Sequence, residues 1–127
     1  MAFRPSKTDY ELSPYTGLTR QGWIEAGEYM LEGIFRNIPS FDAPVVMPRT
    51  DTQITYPHLD RNEAEQAAER RAEIFEGLTR SFFIAAPLIR ENPELTVCGY
   101  RIRDYYRNQI LQSCTKAGSA YVGNYEE

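Results

Sequence analysis

Apolar positions recur at helical spacing in three stretches of the chain, and the longest of them is Asn62–Ile89. At about 100° per residue, Ala64, Ala68, Phe75, Leu78, Phe82, Ala85 and Ile89 fall on one arc. That arc is the face expected to meet a core. Arg71 interrupts it, on a stem long enough to carry the guanidinium out to water. Asp60 and Asn62 each suit an N-cap, with Glu63 and Glu65 three residues on, as a capping box needs. Beyond Arg80 the run SFFIAAPLI is apolar nearly all round, because Ile84 and Leu88 point away from Phe75 and Phe82. An end of that kind has to be covered on every side. Pro87 lacks an amide donor and biases Ala86 away from helical angles, so a kink or helix end is expected there. Asn92-Pro93 is the firm stop.

Two weaker helical patterns flank this one. Thr19 reads as the N-cap of a first helix from Arg20 to Asn37, with Trp23, Met30 and Ile34 on one stripe widened by Ile24, Ala26, Leu31 and Phe35. Gly22, Gly27 and Gly33 each weaken it by ~1 kcal/mol relative to alanine, or admit a close neighbour. A third helix is expected from Val97 to Cys114, with Cys98, Ile102, Tyr105, Tyr106, Ile110 and Cys114 inward. Residues 1–18 carry no period and read as an extended arm. Residues 38–61 hold four prolines, with VVMP as a short strand; a loop this long is often functional.

The 127 residues carry a net charge of −4 and a pI of about 5.1, which argues against general nucleic-acid binding. No apolar run is long enough to span a membrane, and the N-terminus lacks an apolar signal core. The expected location is therefore cytoplasmic, or periplasmic after signal removal. With the third helix as drawn, Cys98 and Cys114 stand ~24 Å apart, too far for a disulfide. No CxxC and a single histidine leave no case for structural zinc; no metal and no cofactor are expected.

A charged stripe runs along the central helix: Glu69, Glu73, Glu76 and Arg80, at i, i+4, i+7, i+11. It is either a solvated face, with a Glu76–Arg80 pair worth ~0.3–0.5 kcal/mol, or a row of carboxylates lining a polar cavity. His58, in Tyr56-Pro57-His58, is the only side chain with an ordinary pKa near neutrality. A lone loop histidine is more often a hydrogen-bonding group than a catalyst.

The strings SPYTGLTRQGWIEAGEYMLEGIF, TYPH, FEGLTRSFFIAAPLIRENPEL, GYRIRDYYRNQIL and AYVGNYEE occur in that order. Over about residues 13–127 the chain resembles the N-terminal portion of domain-of-unknown-function family 2264, a bacterial family. The most specific element is Glu76-Gly77-Leu78-Thr79-Arg80 followed by the apolar run. The resemblance implies an all-α fold, the first helices of an (α/α)6 toroid like that of glycoside hydrolases and polysaccharide lyases. Residues 19–127 would then be the front of a larger helical domain. It also implies a carbohydrate substrate, for a glycoside hydrolase acting on uronic-acid-containing glycans. Glu73 and Glu76 become the catalytic candidates, of which at most one acts as the acid, since hydrolysis needs two carboxyl groups flanking the bond. Arg80, His58 and Tyr56 become substrate-binding candidates, Arg80 through its fork to a uronate carboxylate. Glu73 stands where many members carry aspartate. The alternatives are a non-catalytic helical interaction or self-association module, and a lyase that uses His58 or a tyrosine as base.

Overall fold

The structure, a computed structural model, describes residues 2–48 and 62–123. It is mostly helical: α1 (Arg20–Phe35), α2 (Glu63–Glu91), a two-stranded hairpin of β1 (Thr96–Val97) and β2 (Tyr100–Arg101), and α3 (Ile102–Ser113). Tyr56, Pro57, His58 and Asp60 lie outside the described residues, as does the end of the AYVGNYEE string.

Helix α1 starts where its cap was expected, with the Thr19 hydroxyl accepting from the Gly22 amide at 3.2 Å. Its core face is Gly22, Gly27, Leu31 and Phe35 rather than the expected Trp23–Met30–Ile34 stripe. Trp23 and Met30 are exposed, and Ile34 is half-buried. The reason lies at Gly27: a Cβ there would sit 3.0 Å from Leu88 Cδ1, so α2 packs directly on α1's glycine side. The arm before α1 is folded back rather than extended. Thr8 bridges Leu18, the Ser6 amide donates to Glu25 at 2.8 Å, and Phe3 packs on Tyr29.

Helix α2 begins with a complete capping box: the Glu65 amide donates to Asn62 Oδ1 at 3.0 Å, and the Asn62 amide to Glu65 Oε2 at 3.0 Å. It runs through Pro87 to Glu91, so neither the kink nor the early end expected there decides its length; Asn92 caps it. The only bond Pro87 forfeits is to the Phe83 carbonyl, one turn back, and both residues lie on the exposed side where water can serve that oxygen. The buried stripe is Ile74, Leu78, Ser81, Ala85 and Leu88. It is turned by about one position from the expected arc, leaving Ala64, Ala68, Phe75 and Phe82 exposed. Ser81 can occupy a core position because its hydroxyl donates back to the Gly77 carbonyl at 2.6 Å.

The two long helices are antiparallel. Arg20 pairs with Glu91 at one end, Gly27 faces Leu88, and Ile34 lies near Gly77 and Ile84 towards the other.

The third helix is shorter than expected. Its first turns are replaced by the hairpin, in which Thr96 pairs with Arg101 and Val97 with Tyr100. Cys98 and Gly99 form its two-residue turn at φ 50° and 84°, the positive-φ pair that matches strand twist. Cys98 is therefore an exposed turn residue and not a core one, and Ile110 and Cys114 are exposed too. Both thiols are free. Ile102, Tyr105, Tyr106 and Gln109 are the buried side of α3.

Phe35, Tyr105 and Tyr106 make the centre of the core, with Phe35 edge-on to Tyr105 at 4.9 Å and Tyr105 edge-on to Tyr106 at 5.5 Å. The polar atoms of this corner hold the loop that follows α1. Tyr105 Oη donates to the Ala43 carbonyl at 2.7 Å, Gln109 Nε2 to Phe41 at 3.2 Å, and Tyr100 Oη to Ile38 at 3.3 Å. Asn108 Nδ2 reaches Asp42 Oδ1 at 3.0 Å, and Ser119 Oγ the Asp42 carbonyl at 2.6 Å. The expected strand at VVMP is absent; the residues just before it are held by α3 side chains, and the segment itself rests on what lies beneath Val45.

Candidate functional site: a groove along α1 and α2

Beneath Val45 is Gly77. A Cβ on Gly77 would stand 1.9 Å from the Val45 carbonyl oxygen, so only glycine lets the loop cross α2 at this height. The crossing turns the side of α2 into the wall of a groove of about 430 Å3, lined by Ile34, Val45–Met47, Glu73, Glu76, Arg80, Ser81 and Ile84. The Glu-Gly-x-x-Arg element thus has two parts. Gly77 seats the loop, while Glu76 and Arg80 stand on either side of the seat.

Three of the five candidate residues, Glu73, Glu76 and Arg80, share this groove, as their spacing on one helix requires. Their settings differ. The Glu73 side chain is 29% exposed, against 56% for Glu76 and 77% for Arg80. Arg80 Nη2 lies 3.1 Å from Glu76 Oε2 in an i,i+4 pair, and Arg70 Nη1 lies 3.6 Å from Glu73 Oε2. The Glu76–Arg80 pair stands at an open rim, where such pairs contribute little. Glu69 lies a turn further toward the N-terminus and does not line the groove. Tyr56 and His58 fall outside the described residues.

Two residues that the sequence does not mark as site candidates lie at this groove. Ser81 lines the groove, with its hydroxyl turned back to the Gly77 carbonyl. Behind it, Tyr106 Oη is buried without a well-formed hydrogen bond among the described residues, with the Ser81 hydroxyl beside it but turned to the Gly77 and Leu78 carbonyls. Burial pushes the Tyr106 phenol up to about 12, slightly moderated by Ser81; burial raises Tyr105 further. Both phenols are therefore neutral at ordinary pH.

The groove does not stop at Ile84. That residue also lines a second hollow of about 500 Å3, with Trp23, Met30, Pro87, Arg90, Arg20 and Glu91 around it. The Trp23–Met30 stripe that reads as core in the sequence is the wall of this half.

Among the described residues, no group of three or more His, Cys, Asp or Glu side chains could hold a metal ion, and no helix is long and apolar enough to cross a membrane. Comparison with known proteins returns no match: no family model, no curated protein and no solved structure is significantly similar to the chain.

Proposed function

We propose that the chain is the N-terminal part of a toroid-like carbohydrate-active domain, a glycoside hydrolase acting on uronic-acid-containing glycans, with the Glu73–Arg80 side of α2 facing the sugar. The observation that carries this reading is the meeting of Glu73, Glu76, Arg80 and Ser81 in one groove walled by the Val45–Met47 loop. The Val45–Met47 wall is the feature that favours a cleft over a plain solvated stripe. Carboxylates and a guanidinium at the edge of a partly apolar cleft suit recognition of hydroxyls on a ring.

Glu73 and Glu76 are one turn apart on the same side of one helix, so they cannot stand on opposite sides of a glycosidic bond. Glu73, the more enclosed, is the better placed to act as general acid; Glu76, tied to Arg80, is the better placed to bind hydroxyls. The second carboxylate of the hydrolytic pair comes from outside the described residues. A lyase reading gains nothing from Tyr105 or Tyr106, whose neutral buried phenols are poor bases.

The test is turnover of uronic-acid glycosides by the full-length gene product and its Glu73→Gln and Glu76→Gln forms. Loss of general acid catalysis lowers kcat by roughly 10²–10⁴-fold. That loss is expected for Glu73→Gln, with a smaller effect, mainly on KM, for Glu76→Gln. Wild-type turnover by both variants removes the groove from the chemistry.

The second reading, an interaction module, draws on a different observation. Phe83 is 82% exposed, and Phe75 and Leu111 are also in water. The SFFIAAPLI end is thus covered on its core side alone, and the rest of its apolar surface suits a further helix or a second copy.

A further inference from the structure

We propose that the Trp23–Arg90 half of the groove is a subsite for the carboxylated ring of a uronic-acid glycan, a few rings along the chain from the ring at the Glu73–Glu76 half. The proposal rests on the sugar-facing reading above and adds to it where the acidic ring sits.

The first support is continuity. Because α1 and α2 are antiparallel, the two hollows follow one seam and share Ile84. The α2 residues lining them run from Glu73 to Glu91, about 27 Å of helix. That length exceeds a single sugar ring and suits a short chain.

The second support is shape and polarity. Trp23 is 57% exposed, a large aromatic side chain left in water at the wall of a concavity. An indole face with polar groups at its edge suits a ligand that is apolar on one face and hydroxylated at its rim. Met30, Ile84 and Pro87 continue the apolar lining, and Gly27, in contact with Leu88, keeps the floor flat.

The third support is charge. Of the groove's guanidinium groups, Arg80 is paired with Glu76 and Arg20 with Glu91. Arg90 makes no ion pair or side-chain hydrogen bond among the described residues, yet lines the same hollow as Trp23. A sugar carboxylate approaching the groove therefore meets a cation at Arg80 already paired with Glu76 and, at Arg90, one that none of the described residues engages, whose fork can take both carboxylate oxygens.

Trp23 is the only tryptophan in the chain, so its emission reports on this hollow alone. The experiment titrates the chain with glucuronate and with glucose, following Trp23 emission and backbone amide shifts together. Expected is a saturable emission change with glucuronate, with affinity for glucose weaker by roughly tenfold, the size of one lost charge-assisted contact. Arg90→Gln should remove that difference, and Trp23→Leu should abolish the amide shifts along Trp23–Met30. Both positions are exposed, so the fold should persist, and thermal melts check it. Amide shifts confined to Glu73–Ser81, with silent Trp23 emission, would overturn the subsite and leave the proposed function standing. Silence at both halves would overturn both. Emission that moves with protein concentration before sugar is added would place Trp23 in a self-association contact and overturn the subsite.

Discussion

Gly77 shows most clearly what one residue does in this chain. Its missing side chain lets the Val45 carbonyl cross α2, and the groove exists because that crossing holds Val45–Met47 against the helix. Gly77→Ala puts a methyl group where the carbonyl oxygen stands, a backbone clash that no side-chain rotation relieves. The expected cost is about 1–3 kcal/mol in urea unfolding, the usual range for overpacking, together with amide shifts at Val45–Met47. An alanine variant as stable as the parent would mean the loop does not rest there. Tyr106 makes the opposite case. Its hydroxyl is buried without a sound partner, so Tyr106→Phe should be neutral or slightly stabilising near pH 7. At alkaline pH the sign follows from the raised pKa. The folded protein keeps the Tyr106 proton up to about 12, while the unfolded chain releases it near 10, so folding binds more protons in that window. Stability contributed by the neutral phenol is whole below about pH 10 and falls by up to ~1.4 kcal/mol per pH unit as pH rises towards 12. Denaturant melts from pH 8 to 11.5 should show a shallower decline for Tyr106→Phe; parallel declines would contradict a phenol buried in its neutral form.

At the scale of the elements, the strongest local signals in the sequence were the reliable ones. Thr19, Asn62 with Glu65, and Asn92-Pro93 mark helix ends in the structure as they do in the sequence, because caps are settled by residues within one turn. The faces were harder to read. Trp23, Met30, Phe75 and Phe82 are bulky apolar residues of α1 and α2 at helical spacing, and a face drawn by bulk points at them. The core instead follows glycine and serine. Gly27 admits Leu88, Gly77 admits Val45, and Ser81 hides its hydroxyl against its own helix. The hairpin is hidden in the spacing because Ile102 continues a helical period back to Cys98, while the positive φ at Cys98 and Gly99 that makes the turn is a property of the backbone. Pro87 gives a test at this scale. It lies inside a continuous helix and forfeits one bond on the exposed side, so Pro87→Ala should raise stability by about 1–3 kcal/mol. An unchanged or lower melting temperature would mean that α2 needs the proline for its path.

Across the whole molecule, the three helices and the hairpin surround one aromatic centre, yet a second set of large apolar side chains stays outside it. Trp23, Met30 and Pro87 lie along one flank of the α1–α2 pair, with Phe83 exposed elsewhere on α2 and Leu111 on α3. The sequence shows why: SFFIAAPLI is apolar on more sides than two neighbouring helices can cover. What the sequence could not show is that the carboxylate stripe and part of this apolar surface are two halves of one groove. That depends on the antiparallel pairing of α1 with α2 and on the Val45 crossing, both of which join residues more than thirty positions apart. The proposed sugar-facing role of this groove is tested most directly by amide chemical-shift mapping of the chain titrated with glucuronate. Shifts should be saturable and confined to the groove, at Glu73–Ser81 and Val45–Met47 together with Trp23–Met30, and Glu76→Gln should weaken those of the Glu73–Ser81 half. Shifts that are absent, unsaturable or spread evenly over the surface would contradict that role.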